Sequence, residues 1–376
     1  MRVMFASGGT GGHIYPGLTL AQELQRRGEH EVLFVGTKRG LEGELVKRAG
    51  YPILFIQSAP LSGGVMTKAK NLWTMQRGIR EARALIARFE PQIVVGTGGY
   101  ACGPVVLAAR LAKVPVLLQE QNALPGKANK LLSNWAQAVA LGYSQAAPYF
   151  PRKVQGKLHF TGNPIREQLL SPPAESAYGL VPGKNTVLLL GASQGARRLN
   201  QAAAGLYELA GPGKRLQLLH QSGPKLFAEA RGQLEQVAAE LGGKVTQEGE
   251  GVSWAGVHLY PYLYDMSAAY GQADLVITRA GAGSLSEIMA LGLPAVLVPY
   301  PHAAADHQTY NAKVLAEAGA GILMADSELS AQSLVSEVTE LLASPAKLAS
   351  MAENSRNLGR PKATGRIVDL ILSLAK

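Results

Sequence analysis

Short β-branched apolar runs that stop at glycine clusters and pass into helical stretches recur along this chain, and they constrain its fold more than any other feature. In the first half they are Val3 to Ala6 before GGTGGH, Val32 to Val35 before GTKRG, Ile93 to Val95 before GTGGYACGP and Val114 to Leu118 before QEQN. In the second half they are Val187 to Leu190 before GASQGA, Leu216 to His220 before QSG, Leu275 to Thr278 before RAGAG and Ala295 to Val298 before PYPH. This is the pattern of parallel strands crossed by helices, so the chain reads as α/β with a doubly wound, Rossmann-like sheet in each half. At 376 residues it exceeds one ordinary hydrophobic core, and two domains are expected. TGNPIR places the linker at 161 to 166, giving domains at 1–163 and 164–345 and an amphipathic helical segment at 346–376.

A lone cysteine, Cys102, excludes a disulfide framework and a thiolate zinc site. The apolar run after the N-terminus is too short for a signal-peptide core or a spanning helix, and no other stretch reaches about 18 apolar residues, so a cytosolic protein is expected. Charge is divided unevenly. Residues 1 to 163 hold 20 Lys and Arg against 8 Glu and no Asp, whereas the remainder holds 17 basic against 19 acidic residues. The whole net charge of +10 therefore resides in the first half, which suggests a polyanionic partner, nucleic acid or an anionic bilayer, beside the plainer reading of solvated surface charge.

In open α/β sheets ligands bind beyond the carboxyl ends of the strands, where glycines let backbone N–H groups approach an anion at a helix N-terminus. Four such turns are present: Gly8 to Gly12, Gly96 to Gly103, Gly191 to Gly195 and Gly281 to Gly283. Distributed over both halves, they imply a cleft lined with phosphate-binding backbone. Absences narrow the ligand. There is no G-x-x-x-x-G-K-[ST], no acidic residue closing the second strand to hold a nicotinamide ribose, and no Asp-x-Asp pair to hold a metal on a diphosphate. What remains is a diphosphate site that uses no metal, with charge met by helix ends and basic side chains.

Glu287, in RAGAGSLSE, falls near the start of a helix, where its carboxylate either accepts from vicinal ribose hydroxyls or merely caps. His13, after GGTGG, sits where the helix dipole favours a neutral ring, so it is either a general base or a brace for the glycine loop. Glu120, Asn122, His302, Asp306 and His307 fall in further turns that follow strands. Lys68 to Arg88 reads as a basic helix whose Ile79, Leu85 and Ile86 pack inward, while Trp73 and Met75 form an outward patch suited to a bilayer interface.

These motifs together resemble those of the MurG family of bacterial N-acetylglucosaminyltransferases, nearly end to end. The matching segments are GGTGGHIYPG at 8–17, GTGGYACGP at 96–104, EQNALPGKANK at 120–130, TGNPIR at 161–166, GASQGARRLN at 191–200, RAGAGSLSE at 279–287 and DHQTYNA at 306–312. The resemblance implies the GT-B glycosyltransferase fold, two doubly wound domains facing across a cleft. It also implies inverting transfer, without metal or other cofactor, of N-acetylglucosamine from UDP-GlcNAc to the muramoyl 4-hydroxyl of undecaprenyl-linked lipid I, forming lipid II. Donor contacts would come from Arg166, Ser193, the backbone near Leu263 and Met266, Ala282, Gly283 and Ser284, Glu287, and His307 or Gln308, with Thr10, Gly11, Gly12 and Asn122 also near the donor. Gly8, Gly9, Gly98, Gly99, Tyr100 and Gly103 would hold the acceptor diphosphate, and His13, Asn122 and Glu287 would serve catalysis. Partners would be UDP-GlcNAc, lipid I, an anionic membrane surface and other cell-wall and division proteins, with no nucleic acid, at the cytoplasmic face of the cell membrane. The chain departs from many relatives at Gln119 and Ala192. Its rivals are a GT-B epimerase, a transferase with another acceptor, and a binding-only subunit that docks on a membrane partner.

Overall fold

A computed structural model describes residues 1–59, 65–171, 178–191 and 195–375, with residues 65–70 described by backbone alone. Its contacts divide the chain into two compact units, Met1–Arg166 with Arg360–Lys376, and Glu167–Gly359.

The first unit runs β1 (Arg2–Ser7), α1 (Gly11–Arg27), β2 (Glu31–Gly36), α2 (Glu42–Arg48), β3 (Ile53–Phe55), α3 (Val65–Phe89), β4 (Ile93–Gly98), α4 (Cys102–Leu111), β5 (Val116–Glu120), α5 (Lys127–Leu132), β6 (Ala138–Leu141) and β7 (Leu158–Phe160). Its sheet has the order β3-β2-β1-β4-β5-β6-β7 and is parallel throughout. Alternation along each strand feeds two cores. Val3, Phe5, Val32, Phe34, Ile93 and Val95 face Ile14, Leu18 and Leu24 of α1, while Met4, Ala6, Leu33, Val35 and Val94 face Ile86 of α3 and Val105 and Val106 of α4. Burial on both faces explains why these strands read as continuous apolar runs. Phe5 and Phe34 stack with ring centroids 5.1 Å apart, and truncating Phe34 to Ala would cost about 3–5 kcal/mol.

The second unit runs β8 (Asn185–Leu190), α6 (Arg197–Leu209), β9 (Leu216–Gln221), α7 (Phe227–Glu240), β10 (Thr246–Glu248), β11 (Gly251–Trp254), β12 (Val257–Tyr260), α8 (Met266–Gly271), β13 (Leu275–Thr278), α9 (Ala282–Leu291), β14 (Ala295–Leu297), α10 (His307–Glu317), β15 (Gly321–Leu323), α11 (Ala331–Leu342) and α12 (Pro345–Leu358). The sheet order is β10-β11-β12-β9-β8-β13-β14-β15. Only the β10–β11 and β11–β12 pairings are antiparallel.

A last helix, α13 (Ala363–Leu374), belongs to the first unit, where Ile367, Val368 and Ile371 join the core around α1. The C-terminal stretch from Ala346 is thus two helices, α12 in one unit and α13 in the other. At its return, Gly162 has φ +86 and packs so closely on Arg360 that a Cβ would come within 2.5 Å of the Arg360 Cβ. Thr364 donates to the Ile165 carbonyl at 2.7 Å and its hydroxyl accepts the Ile165 N–H at 2.9 Å.

In each sheet the strand order reverses beside the first strand of the unit, between β1 and β4 and between β8 and β13. Such switch points are where doubly wound sheets open to ligands. The four glycine turns of the sequence follow these four strands.

Candidate functional site

The first site is built where β1 and β4 end. A Cβ on Gly99, which has φ +83, would collide with the Gly8 carbonyl, so the two turns lie backbone against backbone. Glu42, fully buried at the start of α2, holds this arrangement from below. Its carboxylate accepts from the N–H of Gly9 at 3.0 Å and from the N–H and hydroxyl of Thr37, both at 2.8 Å. Gly11 and Gly12 are already helical, and α1 opens at Thr10, whose exposed side chain makes no capping bond. The first N–H groups of a helix lack intrahelical acceptors, so this end of α1 offers donors to an anion. Pro16 in the second turn has no N–H and so withdraws the helical donor from the Gly12 carbonyl.

His13 lies in the first turn of α1, partly buried. Its carbonyl accepts hydroxyl bonds from Ser7 on β1 and Thr97 on β4, both at 2.8 Å, and its ring rests on Gly98, where a Cβ would come 2.5 Å from Cδ2. Both strands of the switch point therefore fix this histidine. Gly98, with φ +108, leaves the room the ring occupies. Tyr100 is exposed, with its carbonyl held by the Ser58 hydroxyl at 2.6 Å.

At the end of β5, Glu120 is buried and accepts from Asn122 N–H at 3.0 Å, Asn122 Nδ2 at 3.3 Å, Gly126 N–H at 3.0 Å and Asn129 Nδ2 at 2.9 Å. Its carboxylate is committed to shaping the loop that presents Asn122. Gln119 donates to Asn163 Oδ1 at 2.8 Å and Asn163 returns a bond to the Gln121 carbonyl at 2.9 Å, so the linker motif is tied to the same loop. Arg166, half-buried, ends the first unit.

The second site lies where β13 passes into α9. Gly281 caps this helix with no side-chain bond, and no acidic residue stands in its first turn. Ala282, Gly283 and Ser284 are its first three residues, and the first intrahelical bond runs from Leu285 N–H to the Gly281 carbonyl at 3.0 Å. Glu287 is the sixth residue, too far along to cap. Its carboxylate instead accepts from the Tyr270 hydroxyl at 3.1 Å, which removes the capping reading.

Leu263 is fully buried, and its N–H is taken by Gln221 Oε1 at 2.9 Å, so its donor is unavailable to a base; Met266 opens α8 behind an Asp265 cap. His307 Nδ1 donates to the Ala304 carbonyl at 2.7 Å, whereas Gln308 Oε1 accepts the Tyr300 N–H at 2.9 Å. Ala305 and Asp306 just before them both adopt left-handed backbone, with φ 53 and 55. For residues with a Cβ this conformation costs roughly 1–3 kcal/mol each, and such strain collects at functional sites. Ser193 and Ala192 lie outside the described residues. A buried chain of bonds links α6 and β9: Asn200 Nδ2 to the Ser222 carbonyl at 2.9 Å, His220 Nε2 to Asn200 Oδ1 at 3.1 Å, and Tyr207 hydroxyl to His220 Nδ1 at 2.9 Å. Burial lowers the His220 pKa to about 3, so the ring is neutral.

On α3, Trp73 is 61% and Leu72 54% exposed, with Arg77 stacked over the Trp73 ring. Ile79, Leu85 and Ile86 pack inward as expected. Met75 does not belong to the outward patch. It is partly buried, and its methyl reaches within 3.5 Å of where a Cβ on Gly103 would lie, because α3 packs on α4. The Lys68 and Lys70 side chains lie outside those described. Among the described residues no helix is long and apolar enough to cross a membrane.

Comparison with known proteins identifies the family. Residues 3–141 match the glycosyltransferase family 28 N-terminal domain and residues 186–367 its C-terminal domain. The UDP-N-acetylglucosamine--N-acetylmuramyl-(pentapeptide) pyrophosphoryl-undecaprenol N-acetylglucosamine transferase of Halothermothrix orenii is 40% identical, covering 100% of both chains. The transferase of the same name from Moorella thermoacetica is 43% identical over 99% of this chain and 98% of its own. The crystal structure of Acinetobacter baumannii MurG superimposes with a TM-score of 0.76 at 31% identity, covering 99% of each chain. With both family 28 domains, two doubly wound units and relatives of one name matched from end to end, the chain belongs to the MurG family of glycosyltransferases.

Proposed function

We propose that this protein transfers N-acetylglucosamine from UDP-N-acetylglucosamine to the N-acetylmuramyl-(pentapeptide) pyrophosphoryl-undecaprenol acceptor, the reaction that its relatives' names describe. The observation that carries the reading is Glu287. Placed past the first turn of α9 and oriented by Tyr270, its carboxylate accepts ribose hydroxyls while the N–H groups of Ala282 to Ser284 meet the diphosphate. Gln308 takes the sugar, because the Tyr300 N–H occupies its carbonyl and leaves its amide NH2 to donate. In the first unit, the turns at Gly8 to Gly12 and Gly98 to Gly103 receive the acceptor diphosphate.

Chemistry is a single displacement with inversion. The acceptor 4-hydroxyl oxygen bonds to the anomeric carbon as the bond from that carbon to the UDP oxygen breaks, and the hydroxyl proton passes to the His13 imidazole. Arg166 and the α9 N-terminus stabilise the departing diphosphate, so no metal is needed. The exposed Trp73 and Leu72, on the unit that carries the positive charge, support peripheral attachment to anionic lipid at the cytoplasmic face, where the acceptor would be met. The decisive experiment supplies labelled UDP-N-acetylglucosamine and a short-chain lipid I analogue, with and without EDTA. Transfer to the analogue, unchanged by chelation, is expected; absence of transfer overturns the reading, and loss with EDTA overturns its metal-free form.

A further inference from the structure

The turn that opens α9 begins with Arg279, a guanidinium more than nine-tenths buried. Its Nη1 donates to Asp326 Oδ1 at 2.6 Å and to the carbonyls of Val298 and Pro299, both at 3.2 Å. The guanidinium carbon also lies 5.8 Å from the Tyr300 ring centroid. Asp326, beyond β15, is equally buried, and Arg198 on α6 reaches its other oxygen at 3.3 Å. Burying such a pair is costly, and removing one partner costs far more than the pair contributes, so its presence asks for a reason beyond stability.

The reason lies in what the clamp holds. Arg279 grips the backbone at 298 and 299, and the next N–H, that of Tyr300, is the one that binds Gln308 Oε1. One turn further along α10, the buried Asn311 donates to the Ala280 carbonyl at 3.3 Å, beside Arg279 itself. The same loop carries the left-handed pair Ala305 and Asp306, a strained backbone that persists only when its surroundings hold it. An unclamped glutamine amide is free to exchange its oxygen and nitrogen ends. With the Tyr300 N–H fixed, only the carbonyl end can accept it, and the NH2 end is left as a donor.

We propose that the buried Arg279–Asp326 pair is a positioning device that sets donor-sugar selectivity by holding the 298–308 loop so that the Gln308 NH2 faces the sugar. This rests on the assignment of Gln308 to the sugar made above. A site built to hydrogen-bond one hydroxyl discriminates strongly against a donor that misplaces it, and a loss of register of about 1 Å is enough to cost roughly a hundredfold.

The test compares Arg279→Lys, which keeps the charge on a shorter side chain and so draws the donor back from the point where Nη1 reaches both carbonyls and Asp326, and the near-isosteric Asp326→Asn with the parent protein. Binding of UDP alone is measured by calorimetry, and kcat/KM is measured for UDP-N-acetylglucosamine and its C4 epimer, UDP-N-acetylgalactosamine. Each variant is expected to lose roughly tenfold to a hundredfold in kcat/KM for UDP-N-acetylglucosamine, to bind UDP within about twofold of the parent, and to discriminate less between the epimers. Combined with Gln308→Ala, Arg279→Lys should add no more than about threefold, since both act through one contact. Unchanged epimer selectivity, a parallel fall in UDP affinity, or full additivity with Gln308→Ala would make the pair merely structural. If one variant does not fold, the other carries the measurement. A parent that transfers but does not discriminate the epimers defeats this role alone, and a parent that cannot use UDP-N-acetylglucosamine defeats the donor assignment with it.

Discussion

Two histidines show how environment separates chemistry from architecture. His13 is held by Ser7 and Thr97 through its backbone carbonyl, and its ring packs on Gly98. If it is the base, the acid limb of kcat/KM belongs to this ring. His13→Gln should then lose about 10² to 10⁴-fold in rate with that limb gone, and a rate within about tenfold with the limb intact returns His13 to a bracing role. Glu120 is no substitute, since four donors already occupy its carboxylate. His220 does the opposite work. Its folded pKa of about 3 lies below the ordinary 6.5, so between those values the unfolded chain binds the extra proton and stability rises with pH. The slope is about 1.4 kcal/mol per pH unit for this group and vanishes above pH 6.5. Denaturant unfolding at a series of pH values should show that slope in the parent and a flatter one in His220→Gln; an equal slope in both would assign the acid sensitivity elsewhere. Motif spacing made His13, Glu287 and the glycine turns legible. Glu42, Tyr270 and Arg279 were not, because each acts on partners distant in sequence, and only packing brings Glu42 to Gly9 or Asp326 to Arg279.

Elements were legible in proportion to their burial. Strands buried on both faces, such as β1, β4, β8 and β13, read directly as apolar runs ending in glycine. The three-residue β3, β10 and β15 left no such trace, and neither did the antiparallel β11 and β12, whose sequence alternates polar and apolar residues. The two-helix division of the C-terminus was hidden for another reason. The break at Gly359 and Arg360 is set by a close approach of Gly359 to the Met289 carbonyl, which is a tertiary contact. The same logic gives α2 a supporting role despite its length. Glu42 at its start positions Gly9, so Glu42→Gln, which keeps the shape but replaces one acceptor oxygen by a donor, should loosen the Gly8 to Gly12 turn. We expect KM for the lipid acceptor to rise several-fold, about 1 kcal/mol, while KM for UDP-N-acetylglucosamine stays near that of the parent. An equal rise in both constants would mean that Glu42 supports the fold at large and not the acceptor turn.

At the scale of the molecule, the division of charge follows the division of labour proposed above. The unit assigned to the lipid-linked acceptor carries the net positive charge, and on it α3 exposes Leu72 and Trp73 beside Arg77. Each Lys or Arg near anionic lipid contributes about 1 kcal/mol, while an exposed Trp seats itself at the headgroup level, so the two effects add where they occupy one helix face. Because the charge term is screened within about 10 Å at ordinary ionic strength, binding to vesicles that contain anionic lipid should weaken steeply with salt. Leu72→Ser with Trp73→Ser should remove the apolar part and leave turnover of a soluble acceptor intact. Met75→Ser serves as the contrast, because Met75 packs toward Gly103 of the acceptor turn; its loss should lower thermal stability or acceptor turnover more than vesicle binding. Sedimentation with neutral and anionic vesicles checks all three. Equal binding to both lipid types would refute the charge argument, and undiminished binding of the Leu72, Trp73 double variant would show that this face of α3 is not the one that meets the membrane.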